Sequence, residues 1–519
     1  MSGVLLRLRP VVHATPTGNG VHVRGWRSSF TLDGGRGLWT IWERLAAPLA
    51  DGVPPERLVA PEGAAPVVAR ALELLIGQLR EHDLLVEVPA GWGGGGDGQP
   101  PPDIAGWLES VAARPVEAWG LLRAARAEVV GEGVLAAAAR RALVATGVEV
   151  AAVRPGPGLL VVVGAHAVAG GCAGDVGFVV APGAVGEVLA DAAGVAERLS
   201  GGAGEPPEVL AALVASAAAH RVVCAVGGLP DPSTEVVDMW HDVPPGGPPQ
   251  QAVLVARLDP LRAEYHPWLS VVRPREAGGV PLEVLGDEEL GPVATPLPGA
   301  LPQLPVKLAA SGEVVGFGVT EHSARLDALL RAASRLAPEG ALIGADRVHA
   351  RGLALRAAVR GLPGEVVAGR EWSGDPTARR WWKAVVLRFA LPAEVEVTRL
   401  APEVVRAVVR CGGVELSWAV EASAADAVAF AALAAAGRAQ VERAGGVGWA
   451  SGPVVLCGAA PVATPDAAAA PWTNRDWHWP YGLRDVEEAF QEGVRALAGE
   501  VEPVDLGPVL TAAGLVAFR

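Results

Sequence analysis

Lysine is almost missing from this chain: of 43 basic side chains, all but Lys307 and Lys383 are arginine. Tyrosine and methionine are equally scarce, at two each, against 66 glycines and 44 prolines. Lys, Asn, Tyr and Met are encoded largely by AT-rich codons, so their depletion reads as the codon usage of a GC-rich genome. The arginine excess is then no sign of nucleic-acid affinity. A formal net charge of -14 points the same way, because an acidic chain without a local basic stripe is repelled by a polyphosphate. Only four cysteines occur, Cys172, Cys224, Cys411 and Cys457, far apart and without a C-x-x-C, so a thiolate zinc site has no local scaffold. Buried free thiols are expected instead, and no metal ligand set is assigned. Arg7 and Arg9 interrupt the opening, and the most apolar run, from Leu159, is Gly-rich and meets Asp175 too soon to span a bilayer. A cytoplasmic chain with neither a membrane nor a nucleic-acid partner is expected.

What is present is a foldable chain: at 50% hydrophobic and 19% charged residues it is too apolar for disorder. Its 519 residues suggest about three domains. The run VPAGWGGGGDGQPPPDIAGW, Val88–Trp107, is too rich in Gly and Pro for a packed element and is expected to be a linker. GPVATPLPGALPQLP, Gly291–Pro305, reads as a second linker, and DVPPGGPPQ, Asp242–Gln250, as a surface loop. The division is therefore residues 1–88, a linker over 89–107, a domain over 108–290, a linker over 291–305 and a domain over 306–519.

In the first segment, VLLRLRP and GVHVRGWRSSFTLDG alternate as antiparallel strands around a turn at Gly18–Gly20. Leu38, Trp42, Leu45 and Leu49 mark one helix; Val68, Leu72, Leu75 and Leu79 mark another, entered at Pro66. LLVEV closes a small winged-helix-like module. In the middle segment AEVVG, VEVAAV, GLLVVVG, VGFVVAP and HRVVCAVGG read as apolar strands alternating with Ala-rich helices, which predicts a parallel sheet covered on both faces. The last segment mixes Ala-rich helices with strands such as VELSWAVEA. The class expected is a multidomain α/β and α+β protein.

Candidate chemistry is sparse. Gly131 and Gly133 stand at a strand-to-helix turn whose bare amides could cradle a phosphate, but the third position is Ala136 and no acidic residue follows Val150 until Asp175. A nucleotide-fold turn without nucleotide is the competing explanation. Glu321 and His322 are adjacent and point to different faces; His220 reads as a cap or packing residue, and His241 has no assignment. H-E-x-x-H and G-x-S-x-G are absent. A different kind of site is offered by an edge strand over Arg27, Ser28, Ser29, Phe30, Thr31 and Leu32, beside the Pro66 helix bearing Arg70, Leu74 and Gln78. Such an edge takes up an extended peptide through main-chain hydrogen bonds. The alternatives are a winged helix packed on its own protein, or one that binds DNA. DNA is disfavoured because Arg70 and Arg80 face Glu73, Glu81 and Asp83.

The order of these modules resembles a known architecture. RLRP, the following strands, a helix followed by DG, and LLIGQLREHDLL resemble a PqqD-like peptide-recognition element. VVGEGVLAAAARRALVATGVEV and QQAVLVARLDPLRAEYHPWLSVV resemble a ThiF-like domain of Rossmann type. Together they are similar to the leader-binding partner proteins of azole- and azoline-forming cyclodehydratases, as in thiopeptide pathways. GFGVTEHSARLDALLRAASRLA and WAVEASAADAVAFAALAAAGRAQ resemble a YcaO domain, the ATP-using cyclodehydratase fold. The glutamates that hold magnesium and ATP there align with Arg331, Ser334 and Gly437, although Arg335 and Gln440 fit the pattern. The paired zinc cysteines of many ThiF-like partners are also missing, so this copy looks degenerate.

The resemblance implies a non-catalytic subunit. It would bind a precursor leader and present Cys, Ser or Thr to a separate YcaO enzyme, which forms thiazoline or oxazoline rings with its own ATP and magnesium. No cofactor is expected on this chain, and a homodimer is a further assembly it allows. The alternatives are a ThiF-like adenylating enzyme using Gly131 and Gly133, and a generic interaction scaffold. Trp372, Trp381, Trp382, Trp472, Trp477 and Trp479 in the final third are either docking anchors for the partner or core residues.

Overall fold

The structure, a computed structural model, describes residues 3–26, 28–60, 63, 65–96, 98–199, 206–234, 251–273, 282–445, 456–461 and 483–519. The chain forms two compact units, Met1–Tyr265 and His266–Arg519. Both mix helices and sheets, as the α/β and α+β multidomain class requires.

The first unit opens with β1 (Val4–Leu8), β2 (His13–Thr17), β3 (Gly20–Arg24), β4 (Ser29–Asp33), α1 (Gly37–Asp51), α2 (Pro66–Glu81) and β5 (Leu85–Pro89). β1 pairs with β5, while β2, β3 and β4 make a separate antiparallel sheet in that order. Alternation puts Val21, Val23 and Phe30 on the inner face, where Leu38, Trp42 and Leu49 of α1 and Leu72, Leu75 and Leu79 of α2 meet them. Val68, expected on that buried stripe, is exposed.

The following stretch differs from the linker expected over 89–107. Trp92 is buried, and Pro102 starts helix α3 (Pro102–Val111), its missing N–H harmless at a first helical position. Val86, Val88, Trp92 and Leu108 share one core with the strands beyond, so the winged module and the large sheet are packed as one unit. Two arginines reinforce the join. Arg7 Nη1 donates to Glu109 Oε1 (2.9 Å), and buried Arg9 donates to the carbonyls of Asp83, Glu109 and Ala112.

α4 (Pro115–Ala124) leads into β6 (Arg126–Gly131), α5 (Gly133–Ala145) and β7 (Glu149–Arg154), a βαβ unit whose strands run parallel. The remaining strands are β8 (Leu159–Val163), β9 (His166–Ala173), β10 (Val176–Val179), β11 (Ala252–Leu258) and β12 (Leu261–Pro267). The sheet order is β12-β11-β10-β9-β8-β6-β7. The all-parallel sheet expected from apolar runs is therefore corrected: only β6 and β7 are parallel, and the rest is an antiparallel meander. Two-residue loops, Gly164–Ala165 and Gly174–Asp175, join successive strands, and a loop that short can only reverse the chain.

The run from His220 expected as a strand is corrected too. It is the second half of α7 (Glu208–Gly227), which follows α6 (Val185–Arg198). Val222 and Val223 are both buried because α7 is enclosed on nearly every side, so the run has no helical periodicity to read. α7 is also long and apolar enough to cross a membrane, at mean hydropathy 2.0, but more than half of that stretch is buried inside the unit, as in a core helix.

The second unit holds an antiparallel sheet of Glu365–Val366, Ala393–Ala401, Val404–Cys411 and Val414–Glu421, the last being the expected VELSWAVEA strand. The buried helix Ala424–Arg443 packs on this sheet. A hairpin, Lys307–Ser311 with Val314–Gly318, carries the helix Glu321–Ser334. Helices Arg347–Val359 and Leu483–Ala498 and a small sheet of Leu342–Gly344, Pro503–Val504 and Val516–Phe518 complete it. Trp372 and Trp381 lie in the core with Trp382 packed against it, the core reading of the two. Trp472, Trp477, Trp479 and His241 lie outside the described residues.

Candidate functional site

The predicted peptide-binding strand is β4, and among the described residues it has a partner only on one side, β3. Which of its amides face outward follows from the turns. The two-residue loop Gly18–Asn19 makes Thr17 and Gly20 a hydrogen-bonded pair, so Gly20, His22 and Arg24 direct their backbone groups to β2, and Val21 and Val23 direct theirs to β4. The other loop agrees: Gly25 N–H donates to the Ser28 carbonyl (2.9 Å). Phe30 and Leu32 are then bonded to β3, and the N–H and C=O groups of Ser29 and Thr31 face the open edge.

The side chains divide by face. Phe30 is buried, Leu32 half-buried, and Ser29 and Thr31 exposed, with Thr31 Oγ1 2.9 Å from His22 Nδ1. Ser28 Oγ donates to the His82 carbonyl (2.6 Å), and the Phe30 and His82 rings are 5.1 Å apart. The start of β4 is thereby fixed against the end of α2. Arg70, Leu74 and Gln78 form one stripe on α2. Arg70 and Leu74 are exposed, roughly 18 and 12 Å along the axis from His82, while Gln78 donates to Glu81 Oε2 (2.6 Å). Arg27 lies outside the described residues.

The glycine turn is explained by local geometry. At Gly131 a Cβ would stand 3.0 Å from the Gly158 carbonyl oxygen, and Gly133 has φ +58°, which disfavours other residues. Glu132 is the N-cap of α5. Glu132 is exposed and makes no side-chain cap, so the turn combines bare amides with a neighbouring charge of the same sign as a phosphate.

In the second unit the structure brings together two of the positions aligned with missing glutamates. Arg331 stacks over the buried Phe317 ring (5.6 Å), and a Cβ on Gly437 would meet that ring at 2.8 Å. Asp327, fully buried, accepts from Arg331 Nε (2.9 Å) and from the Phe317 amide (2.9 Å). Burial raises the Asp327 carboxyl above its ordinary value despite the opposing guanidinium. Ser334 Oγ is bonded to the Leu330 carbonyl, and Arg335 lies 3.6 Å from Glu313 near the surface. Gln440, which fits the family pattern, donates to the carbonyls of Pro302 (2.6 Å) and Val306 (2.8 Å) and accepts from Val306 N–H (3.1 Å). Its polar atoms are committed to the Pro-rich stretch, and the ring of Phe317 fills the space between Arg331 and Gly437.

Sequence reasoning missed a buried ionic centre. Arg356 donates to Glu421 (2.7 Å) and Glu487 (2.6 and 2.8 Å), Glu421 accepts from Gly458 N–H, and Gln491 donates to Glu487. The adjoining cavity, about 10 Å³, has room for no more than a water. Burial pushes the Cys457 thiol beside it up to about 12, and that of Cys172 to about 11, so neither is a ready nucleophile. All four cysteines are free.

Comparison with protein-family models and with curated proteins finds no match. Among solved structures, a heterocyclase in complex with substrate and cofactor aligns over 99% of this chain and 94% of its own, at 11% identity and TM-score 0.49. E. coli MccB with succinimide aligns over 51% of this chain and 96% of its own, at 10% identity and TM-score 0.33; MccB with ATP gives 11% and 0.31.

Proposed function

We propose that this chain is the recognition and scaffold subunit of an ATP-dependent peptide cyclodehydratase. It binds the leader of a ribosomally made precursor along β4 and presents Cys, Ser or Thr to a YcaO enzyme that closes the azoline ring. The observation that carries this reading is the open edge of β4, with outward amides at Ser29 and Thr31 held in register by two defined turns. An extended peptide satisfies such groups by adding a strand. The exposed Arg70 and Leu74 on α2 supply charge and an apolar contact for its side chains. The setting is cytoplasmic, with neither nucleic acid nor membrane as partner.

Magnesium and ATP belong to the partner enzyme on this reading. Glu132 at the glycine turn and Phe317 between Arg331 and Gly437 both oppose a nucleotide on this chain. Purified alone, the protein is expected to release no phosphate from ATP above the buffer rate, with leader peptide or without it. Turnover abolished by Gly133→Val would instead favour the adenylating enzyme.

The edge itself is tested by Ser29→Pro in the full chain. Proline is tolerated on an edge strand but removes the outward N–H. Anisotropy of a fluorescently labelled precursor leader peptide that the wild-type protein binds should show about tenfold weaker binding, the equivalent of about 1.4 kcal/mol. The melting temperature should change little. Unaltered affinity would sink strand addition at β4.

A further inference from the structure

The tip of the β3–β4 hairpin ends in a tryptophan that faces outward. Trp26 is 62% exposed in a turn closed by the Gly25 to Ser28 hydrogen bond. Trp26 forms one wall of an open cavity of about 180 Å³ within the first unit. Trp107 on α3 and His220 on α7 make a second wall, their rings 5.7 Å apart, and Cys224, Pro230 and Pro232 contribute to the lining.

Three features define what fits. Among the described residues that line the cavity there is no carboxylate, lysine or arginine, so a charged ligand would lose its hydration without compensation from them. The walls are aromatic rings and prolines, surfaces against which a flat ring gains both stacking and edge contacts. An apolar cavity of about 150 Å³ is enough for a benzene ring, so about 180 Å³ admits a phenyl group and little more. Position supplies the fourth. Trp26 lies in the tight turn that leads into β4 at Ser29, so the opening is at the end of the sheet where a peptide paired with β4 and running past Ser29 would emerge.

We propose that this cavity is a specificity pocket for one aromatic side chain of the bound peptide, phenylalanine being the best fit. The inference rests on the peptide-binding reading of β4 for its biological ligand. The pocket itself can be probed separately.

The probe is N-acetyl-4-fluorophenylalaninamide, observed by fluorine NMR in the presence of the full-length protein. Its resonance should broaden, and N-acetylphenylalaninamide should compete at least tenfold better than N-acetylglutaminamide. Trp26→Ala, at an exposed position where the fold should not suffer, should raise the probe's Kd at least fivefold. Val111→Trp, which fills the cavity from α3, should abolish the broadening. Ser29→Pro should leave probe binding unchanged, because a single residue does not use the edge. Absence of broadening with wild-type protein, or broadening untouched by both pocket variants, overturns the pocket. If the probe behaves as expected while Ser29→Pro has no effect on a leader peptide, the pocket stands and strand addition at β4 fails.

Discussion

Arg356→Leu is expected to unfold the second unit or to leave it marginal. Among the described residues Arg356 is the one cation bonded to the buried carboxylates Glu421 and Glu487: its Nη2 serves both, its Nη1 serves Glu487, and its Nε reaches the Val420 carbonyl (2.9 Å). The guanidinium also lies over the Phe490 ring at 4.7 Å. Leucine fills part of the volume but leaves Glu421 with Gly458 N–H and Glu487 with Gln491. Removing one partner of a buried pair costs about 3–5 kcal/mol, a large part of the roughly 5–15 kcal/mol that holds a domain folded. Calorimetry should show the loss as a fall of many degrees in one transition.

The same centre predicts a pH dependence. Burial, with Glu487 adding to it and Arg356 opposing, raises the Glu421 carboxyl from 4.5 to about 7. A group whose folded value lies above its unfolded value stabilises the fold fully below the unfolded value, and that contribution is lost as pH rises toward the folded one. Stability should therefore decline between about pH 5 and pH 7, by at most about 1.4 kcal/mol per pH unit for this one proton. Glu421→Gln should flatten that decline. A wild-type stability curve rising across the interval would show that Glu421 is already ionised in the folded protein well below pH 7, and Arg356→Leu melting with the wild type would show that the pairing with Arg356 does not hold the centre.

None of this centre was legible in the sequence, because Arg356 is 65 residues from Glu421 and 131 from Glu487, and no local pattern joins them. The same holds for the aromatic pocket, assembled from a hairpin tip, α3 and α7. What was legible is local. The alternation around Gly18–Gly20, the Pro66 start and the apolar stripe of α2 placed the module that carries β4, whereas which amides of β4 face outward needed the exact lengths of the loops on either side of β3. Arg7 and Arg9 were visible only as charges interrupting an apolar opening; their burial on α3 depends on a partner helix about a hundred residues away. The parallel sheet was misread for the opposite reason. Runs such as GLLVVVG are buried on both faces whichever way their neighbours point, so composition is silent on direction, and the two-residue loops that settle it carried more information than the strands they join.

Gly437→Glu, which restores the carboxylate of the resembled ATP-binding family, is expected to destabilise this protein and not to repair it. The first added atom would stand 2.8 Å from Phe317 Cγ and 3.1 Å from its Cβ. Phe317 is fully buried between this helix and Glu321–Ser334, with Arg331 across its face, so the ring has nowhere to move. Gly437→Ala isolates that steric part. In an open helix it should gain about 1 kcal/mol from helix propensity, but here overpacking of about 1–3 kcal/mol should outweigh the gain. Glutamate adds a carboxylate in an apolar layer where Arg331 is already held by Asp327, and a buried ion without a partner costs several kcal/mol more. Adding Arg331→Glu would compound the loss, since Asp327 would then lose its own counter-ion. Thermal melts should rank wild type above Gly437→Ala and Gly437→Ala above Gly437→Glu, and titration calorimetry should give no magnesium-dependent ATP binding in any of them. Binding of magnesium ATP by Gly437→Glu at wild-type stability would mean that the ring of Phe317 can leave its place, and the assignment of the nucleotide to a partner enzyme would fall with it.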